Sequence, residues 1–167
     1  MAPEEIFKVL SGKFGDKVQE VSLEAVDPVA TVDASSLQEI CTFLKTESEL
    51  AFTSLMCLSS VDHDEENLRI VYHLDSIEKN HKVTLQVIVP KLKPQVPSVS
   101  AVWRTADWHE REAFDLMGIK FEGHPDFRRI LLPDDWEGYP LRKDYEVQEV
   151  YRGMQVPYPE DEVEKKS

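Results

Sequence analysis

At 167 residues with 41% hydrophobic side chains, the chain is long enough for one domain with a real core plus a tail. Its 32 acidic residues against 19 basic ones give a formal charge of −13. That balance argues against nucleic acid and anionic membrane surfaces as partners, because both reward clustered Lys and Arg.

Taken in chain order, Pro3 with Glu4 and Glu5 predicts a helix start, and Ile6, Phe7, Val9 and Leu10 give it an apolar face up to Gly12 or Gly15. KVQEVSL from Lys17 to Leu23 and VATVDA after the Asp27–Pro28 break alternate loosely and predict two strands. Ser35 or Ser36 offers an N-cap, with Gln38 or Glu39 three residues on, for a helix carrying Leu37, Ile40, Cys41 and Leu44. Three strands are expected next, Phe52 to Asp62, Leu68 to Asp75 and Val83 to Val89, forming an antiparallel meander. Pro90, Pro94 and Pro97 should end the sheet, since each removes a ladder donor, and a turn-rich connector leads on to Val99, Ala101 and Trp103.

Thr105 or Asp107 can cap a helix through WHEREAFDLMG that Gly118 stops in the left-handed conformation. At 100° per residue Ala113, Phe114, Leu116 and Met117 share one side, while Trp108, Arg111, Glu112 and Asp115 share a polar one, with Arg111 and Asp115 spaced as an i, i+4 pair. Glu110 falls inside the apolar arc, where a carboxylate either snorkels to solvent or needs a partner, and where a general acid or base with a raised pKa is the functional alternative. An unpaired buried carboxylate costs several kcal/mol, so an arginine partner is expected from Arg104, Arg128, Arg129 or Arg142. More broadly, Arg128, Arg129 or Arg142 should pair with Glu110, Glu112 or Asp115.

Beyond Gly118, Pro125, Pro133 and Pro140 forbid a long helix, yet Phe127, Ile130, Leu131, Leu132, Trp136, Tyr139 and Leu141 are too many apolar side chains for an ordinary loop. They imply a groove or a partner surface. The expected architecture is α+β, an antiparallel sheet with flanking helices followed by a long extended C-terminal arm. Residues 1–118 form the domain, 119–145 a docking arm and 146–167 a polar acidic tail.

The chemistry-bearing residues are sparse. Cys41 and Cys57 belong to no CxxC pair, which disfavours cysteine-held iron–sulfur or zinc and suits buried reduced thiols. The six glycines form neither GxGxxG nor GxxxxGK[ST], so no dinucleotide or phosphate loop is evident. No secretory leader or membrane-length apolar run is visible, so a soluble chain that meets membranes only through partners is expected. The enzymatic rival is a carboxylate or metal site built from Asp62, His63 and Asp64 with His73, His81 or His109, although His109–Glu110 does not complete HExxH. Another rival is a free-standing acidic adaptor.

EREAFDLMGI at Glu110 to Ile119, followed by FEGHPDFRRILLPDDWEGYPLRKDY, resembles the signature of the 30-kDa subunit of respiratory complex I, the proton-pumping NADH:quinone oxidoreductase. The matching residues are Glu110, Arg111, Glu112, Asp115, Gly118, Gly123, His124, Pro125, Arg128, Arg129, Gly138, Pro140, Leu141, Arg142, Lys143, Asp144 and Tyr145, while Tyr139 stands where many members have histidine or tryptophan. The resemblance implies a peripheral-arm protein of that complex without an active site, cofactor or metal of its own. It would pack on the 49-kDa-type subunit near the one carrying the terminal iron–sulfur cluster. Flavin, clusters and quinone would belong to those partners. Its place would be the cytoplasmic side of a bacterial cell membrane, or the matrix side of the mitochondrial inner membrane. An equivalent subunit of a related quinone oxidoreductase or energy-converting hydrogenase complex, with another electron donor, is the alternative.

Overall fold

The computed structural model describes residues 1–23 and 28–156, so Asp27 and the end of the predicted tail, 157–167, lie outside the described residues. Helix α1 spans Pro3–Phe14, with the Glu5 carboxylate accepting the Ala2 amide at 3.0 Å, and it buries Ile6, Phe7, Leu10 and Phe14. Val9, expected on that face, is instead 40% exposed. Strands β1 (Val18–Ser22) and β2 (Val29–Val32) pair antiparallel. The start of helix α2 (Leu37–Thr46) is fixed by Asp33 rather than Ser35 or Ser36, because its Oδ1 accepts the Ser35 amide at 2.7 Å and closes a 3-10 turn ahead of the helix.

Strands β3 (Ser54–Asp62), β4 (Asn67–Ser76) and β5 (His81–Pro90) form the predicted antiparallel meander. The sheet order is β1-β2-β5-β4-β3, and β2 runs parallel to β5 with Ala30 opposite Leu85. The expected all-antiparallel sheet is therefore corrected to a mixed one in a mixed α/β domain. Along β4, Leu68, Ile70, Tyr72 and Leu74 are buried at every second position, and they join Leu37, Ile40, Cys41 and Leu44 of α2 in one core.

The main sheet ends at Pro90 as expected, but Pro94 and Pro97 do not end strand pairing. Gln95–Pro97 is strand β6, which lies parallel to β7 (Lys120–Glu122), and Pro94 O accepts the Lys120 amide at 2.8 Å. Proline is tolerated here because a two-stranded pair at the margin needs few donors. Between these strands, Trp103 Nε1 donates to Phe52 O at 3.0 Å and Thr105 Oγ1 to Leu55 O at 3.3 Å, seating the start of helix α3 (Ala106–Met117) on the edge of β3. The Thr105 side chain is thus spent on β3 instead of capping the helix.

The stretch from residue 119 does not begin as an arm. Ile119 is 0% and Phe121 3% exposed, both in the core, and burying each stabilises the domain by about 1.5–3 kcal/mol. From Gly123 to Glu149 no helix or strand occurs among the described residues. The tail then forms a hairpin, β8 (Val150–Tyr151) against β9 (Met154–Gln155), which Arg152 ties to Asp135 at 2.8 Å.

Candidate docking site

Helix α3 organises the irregular segment, and of its polar side Arg111 and Asp115 are covered while Trp108 and Glu112 stay exposed. Asp115 is 0% exposed. Its Oδ2 accepts the backbone amides of Ile130, Leu131 and Leu132 at 3.0, 2.7 and 2.9 Å, and its Oδ1 accepts Arg129 Nη1 at 2.7 Å. Arg129 Nη2 reaches the carbonyls of Trp136 and Gly138 at 3.2 and 3.4 Å. One carboxylate thus replaces the secondary structure that prolines deny this segment, giving its amides a shared acceptor. Burial pushes the Asp115 carboxyl up, but the amides and the guanidinium outweigh it and hold the group below its ordinary range.

The predicted arginine pairing holds for Arg129 with Asp115 only. Arg128 pairs with Asp126 at 3.1 Å on the surface, and Arg142 Nε caps the helix end by donating to Met117 O at 2.7 Å. Arg111 does not bond Asp115. Its Nε donates to Arg128 O at 3.3 Å and its guanidinium stacks over Trp108 at 5.0 Å, while Glu112 remains exposed.

Two glycines permit close approach. Gly118, at φ 74°, stops α3, and a Cβ there would lie 2.5 Å from the Tyr139 ring. That ring in turn stacks under the Arg142 guanidinium at 4.9 Å. Gly138, at φ 78°, makes the same allowance for Tyr145, whose ring a Cβ would meet at 2.8 Å. Between them, the Leu141 amide donates to Leu116 O at 3.1 Å. Farther along, the Lys143 amide donates to Asp62 Oδ2 at 2.8 Å, and Lys91 neutralises the same carboxylate at 2.6 Å. Asp62 and Lys91 have no distinguishing pattern in the sequence; they are residues of strand ends that meet Lys143 only in the fold.

Glu110 does not snorkel but is buried, at 0% exposure, and its expected arginine is absent. Oε2 accepts Ser98 Oγ at 2.6 Å and Oε1 accepts the Val99 amide at 2.7 Å. A hydroxyl and an amide hold the group without the desolvation cost of a second buried charge. Burial still dominates, and the carboxyl is pushed up to about 7. The side chain of His124, fully enclosed, lies 3.9 Å from Oε2, and its Nε2 points at Asp107 O, 3.2 Å away. Since His124 Nδ1 accepts the Asp126 amide at 3.1 Å, the ring proton is on Nε2.

The remaining motif residues surround this frame. Gly123 turns the chain at φ 81°, Pro125 and Asp144 are exposed, and Pro140 is half-buried. None of the segment's apolar side chains is fully buried: Leu131 is 60%, Leu141 59% and Phe127 36% exposed, and Trp108 beside them on α3 is 63% exposed. The backbone is pinned while Leu131 and Leu141 face outward.

The metal rival does not assemble, and among the described residues no three His, Cys, Asp or Glu side chains converge to hold an ion. The His63 ring lies against Arg69 Nη2 at 3.0 Å, Asp64 caps the Glu66 amide at 2.9 Å, and His81 bonds Leu50 O at 2.6 Å.

A model of the family described as respiratory-chain NADH dehydrogenase, 30 Kd subunit, matches residues 30–151. The C subunit of the NADH-quinone oxidoreductase of Chloroherpeton thalassium is 49% identical over 154 residues, which cover 91% of this chain but 64% of that protein. Its counterpart in Chlorobium phaeobacteroides, again the C subunit of an NADH-quinone oxidoreductase, is 46% identical over 155 residues, covering 91% of this chain and 93% of its own length. Among solved structures, a trypsin-resistant fragment (1-134) of Nqo5 superposes with a TM-score of 0.62 at 25% identity, over 72% of this chain and 98% of that one. A chain of the membrane-bound sulfane sulfur reductase, an archaeal respiratory membrane complex, superposes with a TM-score of 0.71 at 26% identity, over 86% of this chain and 85% of that one. With its Glu110-to-Tyr145 frame and these relatives, the chain belongs to the 30 Kd subunit family of the respiratory-chain NADH dehydrogenase.

Proposed function

We propose that this chain is a non-catalytic peripheral subunit of a proton-translocating NADH:quinone oxidoreductase, and that the segment from Gly123 to Tyr145 grips the 49-kDa-type subunit next to the subunit with the terminal iron–sulfur cluster. The observation that carries this reading is a segment whose backbone is locked to α3 by Asp115, Arg129 and Arg142 while Leu131 and Leu141 project outward. Rigid backbone with exposed large apolar side chains is the arrangement of a preorganised interface, because little ordering entropy remains to be lost on docking. A cleft of about 350 Å³ lined by Tyr139, Arg142, Tyr145 and Gln148 offers a seat for a partner side chain. Flavin, clusters and quinone belong to partner subunits in this reading, and the chain supports electron transfer by holding them in place. No helix among the described residues is long and apolar enough to cross a membrane, so membrane association on the cytoplasmic side comes through the complex. The names of the two relatives favour quinone reduction by NADH over a related complex with another donor.

Changing Leu131 and Leu141 together to glutamate tests the grip, since both are largely exposed and the domain should keep its melting temperature. Co-expressed with a 49-kDa-type subunit, the double variant is expected to lose at least tenfold in pairing affinity. Unchanged pairing would remove these side chains from the interface.

A further inference from the structure

The docking reading gives Glu110 no role at a partner surface, yet this carboxyl is connected to solvent by hydroxyls. Ser98 Oγ lies 2.6 Å from Glu110 Oε2, and Ser100 Oγ lies 2.7 Å from Ser98 Oγ. Ser98 is 5% exposed, whereas Ser100 is half-buried, with part of its surface in solvent. The two serines belong to the connector between β6 and α3, and the Ser98 amide is tied to Glu122 O at 2.8 Å, which fixes the hydroxyl against the helix. We propose that Glu110, Ser98 and Ser100 form a proton-exchange site, in which a buried carboxyl binds and releases one proton through a two-hydroxyl relay at the junction of the domain with its C-terminal segment.

The hydrogen bonds balance in both states. In the acid form Oε2–H donates to Ser98 Oγ, Ser98 Oγ–H donates to Ser100 Oγ, and Ser100 Oγ–H faces solvent. Deprotonation passes the Glu110 proton to Ser98 as Ser98 passes its own to Ser100, and Ser100 gives one to a water molecule. In the anion both oxygens then accept, from Ser98 and from the Val99 amide at 2.7 Å. Ser98 Oγ accepts the Ser100 amide at 3.1 Å throughout, so its second lone pair is free for either direction of the relay.

The groups facing Glu110 from each packed element are Asp107 one turn earlier on α3, His124 at the root of the irregular segment, Cys41 on α2 and Tyr72 on β4. Burial holds the Cys41 thiol and the Tyr72 hydroxyl well above their ordinary values, and both stay neutral across the range in which Glu110 titrates. Burial together with the nearby Asp107 carboxylate favours the acid, consistent with a carboxyl pushed up to about 7.

The test is the carboxylic-acid C=O band in infrared spectra of the full chain from pH 4 to 9, in the wild type, Glu110→Gln and Ser98→Ala. The expected result is one band that disappears with a midpoint near 7, is missing in Glu110→Gln, and has its midpoint moved upward in Ser98→Ala, where the anion loses one of its two bonds. Where Glu110→Gln does not fold, the Ser98→Ala midpoint decides alone. A full set of carboxyl bands gone by pH 5.5, or a midpoint that Ser98→Ala leaves in place, would overturn the proposal.

Discussion

Replacing Asp115 with alanine is expected to destabilise the chain by about 3–5 kcal/mol, the range seen when one partner of a buried ion pair is removed. Two costs combine. Arg129, 14% exposed at its side chain, keeps its charge without its carboxylate, and the amides of Ile130, Leu131 and Leu132 lose their common acceptor. The pH dependence adds a signature. Because the folded Asp115 carboxyl lies below its ordinary 3.8, its contribution is present above that value and is lost as pH falls through the folded one. Glu110 acts in the opposite sense: raised from 4.5 to about 7, its contribution is full below 4.5 and lost as pH rises through 7, on the order of 3 kcal/mol in total. Urea unfolding of the variant, with amide exchange at residues 130–132, checks this. Protection there equal to the wild type would show that the segment is held by something other than Asp115.

Gly118→Ala is expected to cost about 2–5 kcal/mol. The left-handed conformation at φ 74° is strained for alanine by about 1–2 kcal/mol, and a Cβ 2.5 Å from the Tyr139 ring forces the ring to move at a further cost of about 1–3 kcal/mol. The displacement spreads, since Tyr139 lies between the Arg129 and Arg142 guanidiniums at 5.6 and 4.9 Å. A double variant with Tyr139→Ala separates the two parts. Measured by thermal unfolding against Tyr139→Ala alone, the glycine change should then cost only the backbone strain. An unchanged cost would place the whole effect in the backbone.

The local elements are readable where a cap or a period marks them. Gly118 announces the end of α3, and the runs of branched and aromatic residues in LRIVYHL and VTLQVIV announce β4 and β5. The parallel pairing of β2 with β5 is not readable, because alternation says which face a residue takes and nothing about which distant strand lies beside it. In the candidate site, Asp115 looks solvated because helical angles describe α3 alone, and the cover arrives from residues 129–132. Glu110 shows its need for a partner by its place in the apolar arc. The expected arginine is wrong because opposite charge is only one way to satisfy a carboxyl, and here the Ser98 hydroxyl and the Val99 amide supply the bonds. The hairpin of β8 and β9 is hidden within a composition that reads as tail, although Arg152 and Gly153 at positive φ close its turn.

The segment after Gly123, on this reading, exists to be held by another subunit. The direct measurement is co-purification of a 49-kDa-type subunit with the full chain and with a chain ending at Gly123, a cut that keeps Ile119 and Phe121 in the core. The full chain should come through purification as a stoichiometric pair, and the shortened chain should remain folded by circular dichroism while emerging alone. A shortened chain that stays folded and pairs as tightly as the full one would contradict the account.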